Sequence, residues 1–439
     1  MPVALASIIT GVVVLGSLAL EAPVAIALCG TAILLLWMLG PLQFGLLGQS
    51  VFNSIRSIEI LSIPMFILMG EMFSHSKISS RLFEALDRWL NRIPGHLAIA
   101  TIVSSALFAA LSGSSTATAA AVGTMAIPEM RERGYPQGFA AATVVAGGTL
   151  GILIPPSVTL ILYGVAADVS IGRLFIAGII PGLMLAGLFA VWAMVYPATI
   201  GKRRFVQASH EGPERAIAEI GNLKLVWYVV PPISLIVGIL VLLYGGVASP
   251  SEVGAIAATF AVLMAWAFRD LSWRRMGEAL ERTAHDSSMV MLIVVGATLL
   301  IYPLSFLRIP QTAAEIVASS GFSAWGVIGL INLLLLVMGM FLPPVAIIVI
   351  ITPIVLPMVQ TLGFDPLWFG ILITLNMELG MITPPVGGNL FVVQGIAPDI
   401  SIESILVQVL GFVAMLVLGM VLLCIFPQIV MWLPSMMSH

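Results

Sequence analysis

Read for hydropathy, the chain alternates long apolar runs with short polar joints. Runs at about 3–20 and 24–40 approach the ~20 residues that a bilayer core requires. Residues 43–62 are mixed and predict an amphipathic helix lying along a membrane interface. A short span follows at about 63–74, then a polar stretch over 77–92, with Arg81, Glu84, Arg88 and Arg92 at helical spacing, predicts a solvated or headgroup-facing helix. Residues 98–126 are apolar but interrupted by a Ser/Thr/Gly patch, and further spans are expected at about 138–164 and 172–200. The segment 201–222 is the most polar and marks the natural boundary. Beyond it the order recurs: spans at about 225–245 and 251–268, a polar helix at 270–284, and a span at 287–303. Next come a polar piece to about 323, a proline-broken apolar stretch at 325–358, and spans at 366–392 and 402–433.

The recurrence extends to individual residues. At a shift of 229, Pro128 falls on Pro357, Gly134 on Gly363, Leu150-Gly151 on Leu379-Gly380, and Pro155-Pro156 on Pro384-Pro385. Past a two-residue insertion, Asp168-Val169-Ser170-Ile171 meets Asp399-Ile400-Ser401-Ile402, and upstream Pro23 meets Pro250. One unit of about 220 residues is thus expected twice. Repeat 1 covers 1–222, with a hairpin over 95–130 and a broken span over 138–164; repeat 2 covers 223–439, with a hairpin over 325–358 and a broken span over 366–392.

Composition fixes the class. Hydrophobic residues make up 60% and charged residues 9%, against roughly 25% charged in soluble domains; a polytopic membrane protein follows. Cys29 and Cys424 both sit in apolar runs and read as small buried hydrophobes. The first apolar run lacks a basic leader, so no cleavable signal peptide is expected. The placement of charge says more than the net −3. If the two interrupted stretches each enter and leave on one side, every half has five crossings and the second half is inverted. With the N-terminus outside, the inner segments 75–96, 127–136, 201–224 and 269–286 hold four, two, five and four of the 18 Lys and Arg. Only Arg56, Arg173 and Arg308 remain outside, in keeping with the positive-inside rule. Full crossings would scatter the basic segments to both sides.

The interruptions are where chemistry is expected. Non-helical backbone at membrane depth is tolerated only inside protein or beside a wet cavity. Gly113 and Gly123 flank Ser112, Ser114, Ser115, Thr116 and Thr118; Pro343-Pro344 breaks the other hairpin, and Pro155-Pro156 and Pro384-Pro385 break two full spans. Each half then joins a hairpin tip to an unwound span, exposing carbonyls and half-helix ends that suit a hard cation such as Na⁺ and a carboxylate. Small residues also serve tight helix packing, and that alternative stays open for the Ser/Thr/Gly patch. Asn376, Glu378, Thr383 and Asn389 lie in or beside the second break, and Glu378, ionisable within a span, is the strongest single functional candidate. Glu71, near a span end, reads either as functional or as reaching the interface. Asp168, Arg173 and Asp399, at span ends, read as caps.

The motifs SGSSTATAAAVGTMAIPEM (112–130), RGYP (133–136), GGTLGILIPPS (147–157), LFIAGIIPGL (174–183), GMFLPPVAIIVIITPIVLP (339–357) and NMELGMITPPVGGNLFVV (376–393) together resemble the large membrane subunit of tripartite ATP-independent periplasmic (TRAP) transporters, across essentially the whole chain. The resemblance implies an all-α polytopic fold of two inverted-topology repeats, each with a re-entrant helical hairpin and a discontinuous helix, arranged as an elevator-type scaffold and transport domain. It implies Na⁺-coupled import of a small organic acid across the bacterial inner membrane. It implies two partners: a small four-helix membrane subunit, here expected as a separate chain, and a periplasmic binding protein. Carried over, one sodium site falls on Ser112, Gly113, Ser114 and Ser115 with Gly147, Thr149 and Gly151. The other falls on Gly339, Phe341 and Pro343 with Met377, Gly380 and Thr383. The substrate carboxylate would lie between the hairpin tips, at Ser114, Ser115, Thr116 and Pro343 with Glu378 and Asn389.

Three other readings compete. A self-sufficient carrier of the same architecture needs no partners. An intramembrane serine hydrolase using Ser114 or Ser115 needs a base at membrane depth, whereas His75, His96, His210, His285 and His439 lie in polar segments or at the tail. A channel is disfavoured by the inverted hairpins, which argue for alternating access.

Overall fold

The apolar runs become helices because a backbone out of water must satisfy its own N–H and C=O groups. The structure, a computed structural model, describes residues 3–20, 22–40, 45, 47–56, 58–93, 95–200, 222–319 and 321–437. The expected boundary segment 201–222 lies almost wholly outside these residues. Among the described residues every regular element is helical, and six helices are long and apolar enough to cross a bilayer. The protein is a multi-pass membrane protein.

The first half runs through α1 (Val3–Ala19), α2 (Val24–Leu39), the amphipathic α3 (Leu47–Arg56), α4 (Ser62–Ser74) and α5 (Ile78–Leu90). The Ser/Thr/Gly patch divides α6 (His96–Ser112) from α7 (Ser115–Glu132), which fold back on each other as a hairpin. Then α8 (Gln137–Thr149) ends in a single tight turn, Leu150–Ile152, and the chain resumes as α9 (Val158–Ala167) and α10 (Ile171–Ile200). The second half holds α11 (Asn222–Tyr244), α12 (Pro250–Ala267), α13 (Trp273–Phe306) and α14 (Ile309–Ser319). It continues with a second hairpin, α15 (Ala324–Gly339) and α16 (Pro344–Thr361), and a second broken span, α17 (Pro366–Met381) and α18 (Gly388–Ile396). It closes with α19 (Ile402–Ile425) and α20 (Gln428–Ser435).

Three expectations need correction. The polar helix at 270–284 and the span at 287–303 are one continuous helix, α13: neither Gly nor Pro stands at the junction between them, and a drop in hydropathy does not break a helix. The run at 402–433 is two helices, because Pro427 stops α19 and starts α20. The 77–92 helix is not simply solvated: α5 buries Leu82, Phe83, Ala85, Leu86 and Asp87.

Contacts between the halves come in crossed pairs. Helix α9 packs on α16, and α18 packs on α7, so each post-break helix lies against the other half's hairpin. Likewise α8 meets α19 while α17 meets α10, and α2 meets α13 while α4 meets α12. The Tyr163 hydroxyl donates to the Pro366 carbonyl at 2.6 Å, and the Trp368 indole to Leu423 at 2.9 Å, satisfying groups that hydrocarbon would leave bare.

Two ion clusters fasten α5. The Arg81 guanidinium grips Asp270 with both nitrogens, at 2.7 and 3.1 Å, and lies over the rings of Tyr228 and Phe268. Further along, Arg133 reaches Asp87 at 3.0 Å, Glu129 at 2.8 Å and His96 at 3.2 Å. Burial pushes the Asp87 carboxyl up, against the opposing pull of Arg133 and His96. Arg133→Ala removes that pull. The variant should lose thermal stability in detergent by about 3 kcal/mol, the low end for unpairing a buried charge, because Arg133 keeps 23% exposure. With the folded carboxyl favoured as the neutral acid, stability should be highest at acid pH and fall as pH rises through the raised value. A midpoint independent of pH would contradict this.

Candidate functional site

Only two residues turn the first hairpin. Gly113 adopts φ +62, a left-handed conformation that costs glycine little. Ser114 is extended, and its hydroxyl accepts from the Ala117 N–H as N-cap of α7. The neighbouring hydroxyls tie the turn to itself: Ser112 and Thr118 share a hydrogen bond of 2.9 Å, and Thr118 donates to the Ser114 carbonyl at 2.8 Å. The tip is seated in the first break. A Cβ on Gly151 would lie 2.6 Å from the Ser114 carbonyl, and one on Gly113 would lie 3.0 Å from the Pro156 oxygen.

The second tip is built without hydroxyls. Pro343 is the extended N-cap of α16, and Pro344 occupies the first helical position, where its missing N–H costs nothing. A Cβ on Gly380 would lie 2.5 Å from the Gly339 carbonyl carbon. Gly151 and Gly380, equivalent at the shift of 229, therefore make the same backbone-to-backbone contact, each pressing a hairpin tip against its own half's break.

The residues expected at the sodium sites are thus partly assembled. Ser114 and Ser115 meet Gly151, Gly113 faces Pro156, Ser112 lies against Gly70, and Gly339 meets Gly380, with Met377 buried beside it. Thr149 is buried, its hydroxyl donating to Ala146, and Thr383 donates to the Leu379 carbonyl. Gly147 packs instead against Ser105, on the shaft of α6 rather than its tip, and Phe341 is 58% exposed. Glu378 is completely buried. It accepts from the Ser115 hydroxyl at 2.5 Å, a bond that joins the second half's broken span to the first half's tip. Asn389, also completely buried, donates to the Val145 carbonyl at 3.3 Å. Asp168 caps α9 in a left-handed conformation, and Asp399 pairs with Arg131 at 2.7 Å, which holds the Asp399 carboxyl below the usual range.

Both tips open onto one cavity of about 500 Å³. Ser114, Ser115, Thr116 and Pro343 line it; Glu378 and Asn389 do not. Its wall also takes in α4, through Ile67, Gly70, Glu71 and Ser74, and α13, through Asp286, Met289 and Val290. Sequence reasoning left Glu71 undecided and passed over Asp286. The signal for the first was present: 67, 70, 71 and 74 share one helix face, yet in a short span that face also fits an interfacial end. Ser287 and Thr352, buried without side-chain partners, lie outside the lining.

Comparison with known proteins places this architecture. Residues 11–429 match the family model described as tripartite ATP-independent periplasmic transporter, DctM component. A protein of Oleidesulfovibrio alaskensis named isethionate TRAP transporter permease protein DctMQ is 36% identical over 93% of this chain, which spans 63% of that longer protein. The C4-dicarboxylate TRAP transporter large permease protein DctM of Rhodobacter capsulatus is 33% identical over 95% of this chain and 96% of its own. Among solved structures, the YdaH transporter of Alcanivorax borkumensis superposes with a TM-score of 0.62 over 88% of each chain at 16% identity, a likeness of fold.

Proposed function

We propose that this chain, which belongs to the DctM-component family of tripartite ATP-independent periplasmic transporters, imports a small organic acid across the bacterial inner membrane in symport with Na⁺. The carrying observation is the pairing of each hairpin tip with its own broken span over a single shared cavity. Half-helix N-termini at Ser114 and Pro343 favour an acid group between the tips. Hydroxyls and carbonyls at Ser112–Ser115 with Gly151, and at Gly339 with Gly380 and Thr383, offer oxygen donors of the kind Na⁺ prefers. The crossed contacts support two inverted repeats with re-entrant hairpins, and the distribution of Lys and Arg supports an N-terminus outside. The same contacts also support a transport body of hairpins and broken spans that slides against α4, α12 and α13 as an elevator. The relatives named for isethionate and for C4-dicarboxylates make an organic anion the natural cargo. Family membership supports delivery by a periplasmic binding protein and assembly with a small membrane subunit.

The test is uptake into proteoliposomes holding this chain, its small subunit and the loaded binding protein. Uptake should require an inward sodium gradient and collapse when K⁺ replaces Na⁺. Equal uptake in K⁺ would overturn sodium coupling, and uptake without the partners would favour the self-sufficient carrier. Thr383→Ala should weaken sodium activation severalfold without impairing insertion, since its hydroxyl sits one turn beyond Leu379 at the second break; an unchanged sodium curve would remove Thr383 from the site.

A further inference from the structure

The cavity between the hairpins is electrically lopsided. On the tip side stand hydroxyls and the N-terminal ends of α7 and α16, all favourable to an anion. The wall that α4 and α13 contribute holds two carboxylates, Glu71 and Asp286. Among the described residues that line the cavity there is no Lys, Arg or His. The nearby bases stand outside the lining: His285 Nδ1 lies 3.0 Å from Asp286 Oδ1 on the exposed side of α13, and His75 lies beside Glu71. His75 Nδ1 donates to the Glu71 backbone carbonyl at 2.9 Å, so the side-chain Oε2, 3.5 Å from the same nitrogen, keeps no hydrogen bond of its own. Arg282, one turn before Asp286, acts on Glu71 electrostatically but lines no part of the cavity. The Ser74 hydroxyl beside them is also unpartnered.

Resting on the proposed function, we infer that the cargo of this cavity is a dipolar organic acid: one acid group at the hairpin tips and, at its other end, a cationic nitrogen that pairs with Glu71 and Asp286. A second anionic group would face two carboxylates in a confined space, the like-charge juxtaposition by which sites reject wrong partners. Dicarboxylates are therefore the disfavoured class here, although a relative is named for them. A neutral tail is tolerated but brings no cation to a lining that holds two carboxylates and no Lys, Arg or His.

Two measurements decide this, both on the chain with its small subunit. The first needs no substrate. With Cys29 and Cys424 replaced by serine, Thr116→Cys places one thiol on the cavity wall. Relative to their rates with free 2-mercaptoethanol, a trimethylammonium-bearing thiosulfonate should gain at least about tenfold over a sulfonate-bearing one at this thiol, as charges at this range require. Glu71→Gln with Asp286→Asn should erase most of that ratio, and a ratio unmoved by the double substitution overturns the inference. The second uses three four-carbon compounds that differ only at one end: 4-aminobutyrate, butyrate and succinate. In NaCl, thermal protection should rank 4-aminobutyrate first and succinate last, with the gap narrowing in the double variant. Succinate protecting best in the unsubstituted protein overturns it as well. Where none of the three protects, the thiol ratio still decides. Because that ratio is independent of sodium, a failure of sodium coupling stays distinguishable from a failure of the charge assignment.

Discussion

Gly380→Ala is expected to abolish uptake while leaving the protein inserted and abundant. A Cβ at this position would lie 2.5 Å from the Gly339 carbonyl carbon and 2.7 Å from both its Cα and its oxygen. All three are backbone atoms, so no side chain can rotate away; the hairpin tip or the end of α17 must shift. Overpacking of this kind costs about 1–3 kcal/mol, which a large membrane fold survives. Its effect on the site is greater, because displacing a binding constellation by about 1 Å can cost a hundredfold in rate. Gly151→Ala should do the same at the other tip, where the clash is with the Ser114 carbonyl and the Ser115 nitrogen, and Gly151→Leu should leave no activity. Gly147→Ala should be milder for transport, since it crowds the Ser105 hydroxyl and Cβ on the shaft of α6 rather than the tip. Gly395→Ala, with nothing within 4 Å, is the control and should transport normally. Uptake is read beside membrane abundance by immunoblot; a transporting Gly380→Ala protein would show that the tip-to-break contact is not part of the site.

That contact is legible in the sequence, and the reason is physical. A helix in hydrocarbon can be broken only by residues that change the backbone, so Gly113, Pro155-Pro156, Pro343-Pro344 and Pro384-Pro385 announce the two tips and two breaks directly. Proline alone is not sufficient. Pro231-Pro232 sits inside the continuous α11, and Pro353 and Pro357 inside α16. What distinguishes the true breaks is glycine nearby: Gly151 before the first pair, and Gly380 and Gly387 around the second. Features that depend on which way a helix face points were less legible. Ile67, Gly70, Glu71 and Ser74 line the cavity only because α4 is turned toward the first tip, a rotation fixed by packing against α12 and α13. The pairing of Asp87 with Arg133, 46 residues away, and of Ser115 with Glu378, 263 residues away, leaves no local trace in the chain. Hydropathy likewise hid the continuity of α13 and the stop at Pro427, because neither is a change in polarity.

Ser115→Ala is the second substitution of large expected effect, since one hydroxyl holds a buried carboxyl and belongs to the proposed sodium site. Its single proton is given to Glu378, which leaves its lone pairs free to serve the proposed sodium site. The other carboxyl oxygen, Glu378 Oε2, makes no hydrogen bond of good geometry, so removing Ser115 Oγ strips a fully buried carboxyl of its side-chain donor. Stranding such a group costs about 1–3 kcal/mol, more where charge is involved. The alanine variant should therefore show both a lower thermal midpoint and a sodium half-activation at least about tenfold higher, a shift equivalent to about 1.4 kcal/mol of ion binding. Ser115→Thr, which keeps the hydroxyl, should stay close to the parent protein in both. The two roles separate in a cycle with Glu378→Leu. If the carboxyl is the source of the stability loss, Ser115→Ala in the leucine background should lower the midpoint little, while the sodium shift persists because the lone pairs are still missing. A sodium curve that returns to normal in the double variant would mean that Ser115 acts only by satisfying Glu378, and would take its hydroxyl out of the ion's coordination shell.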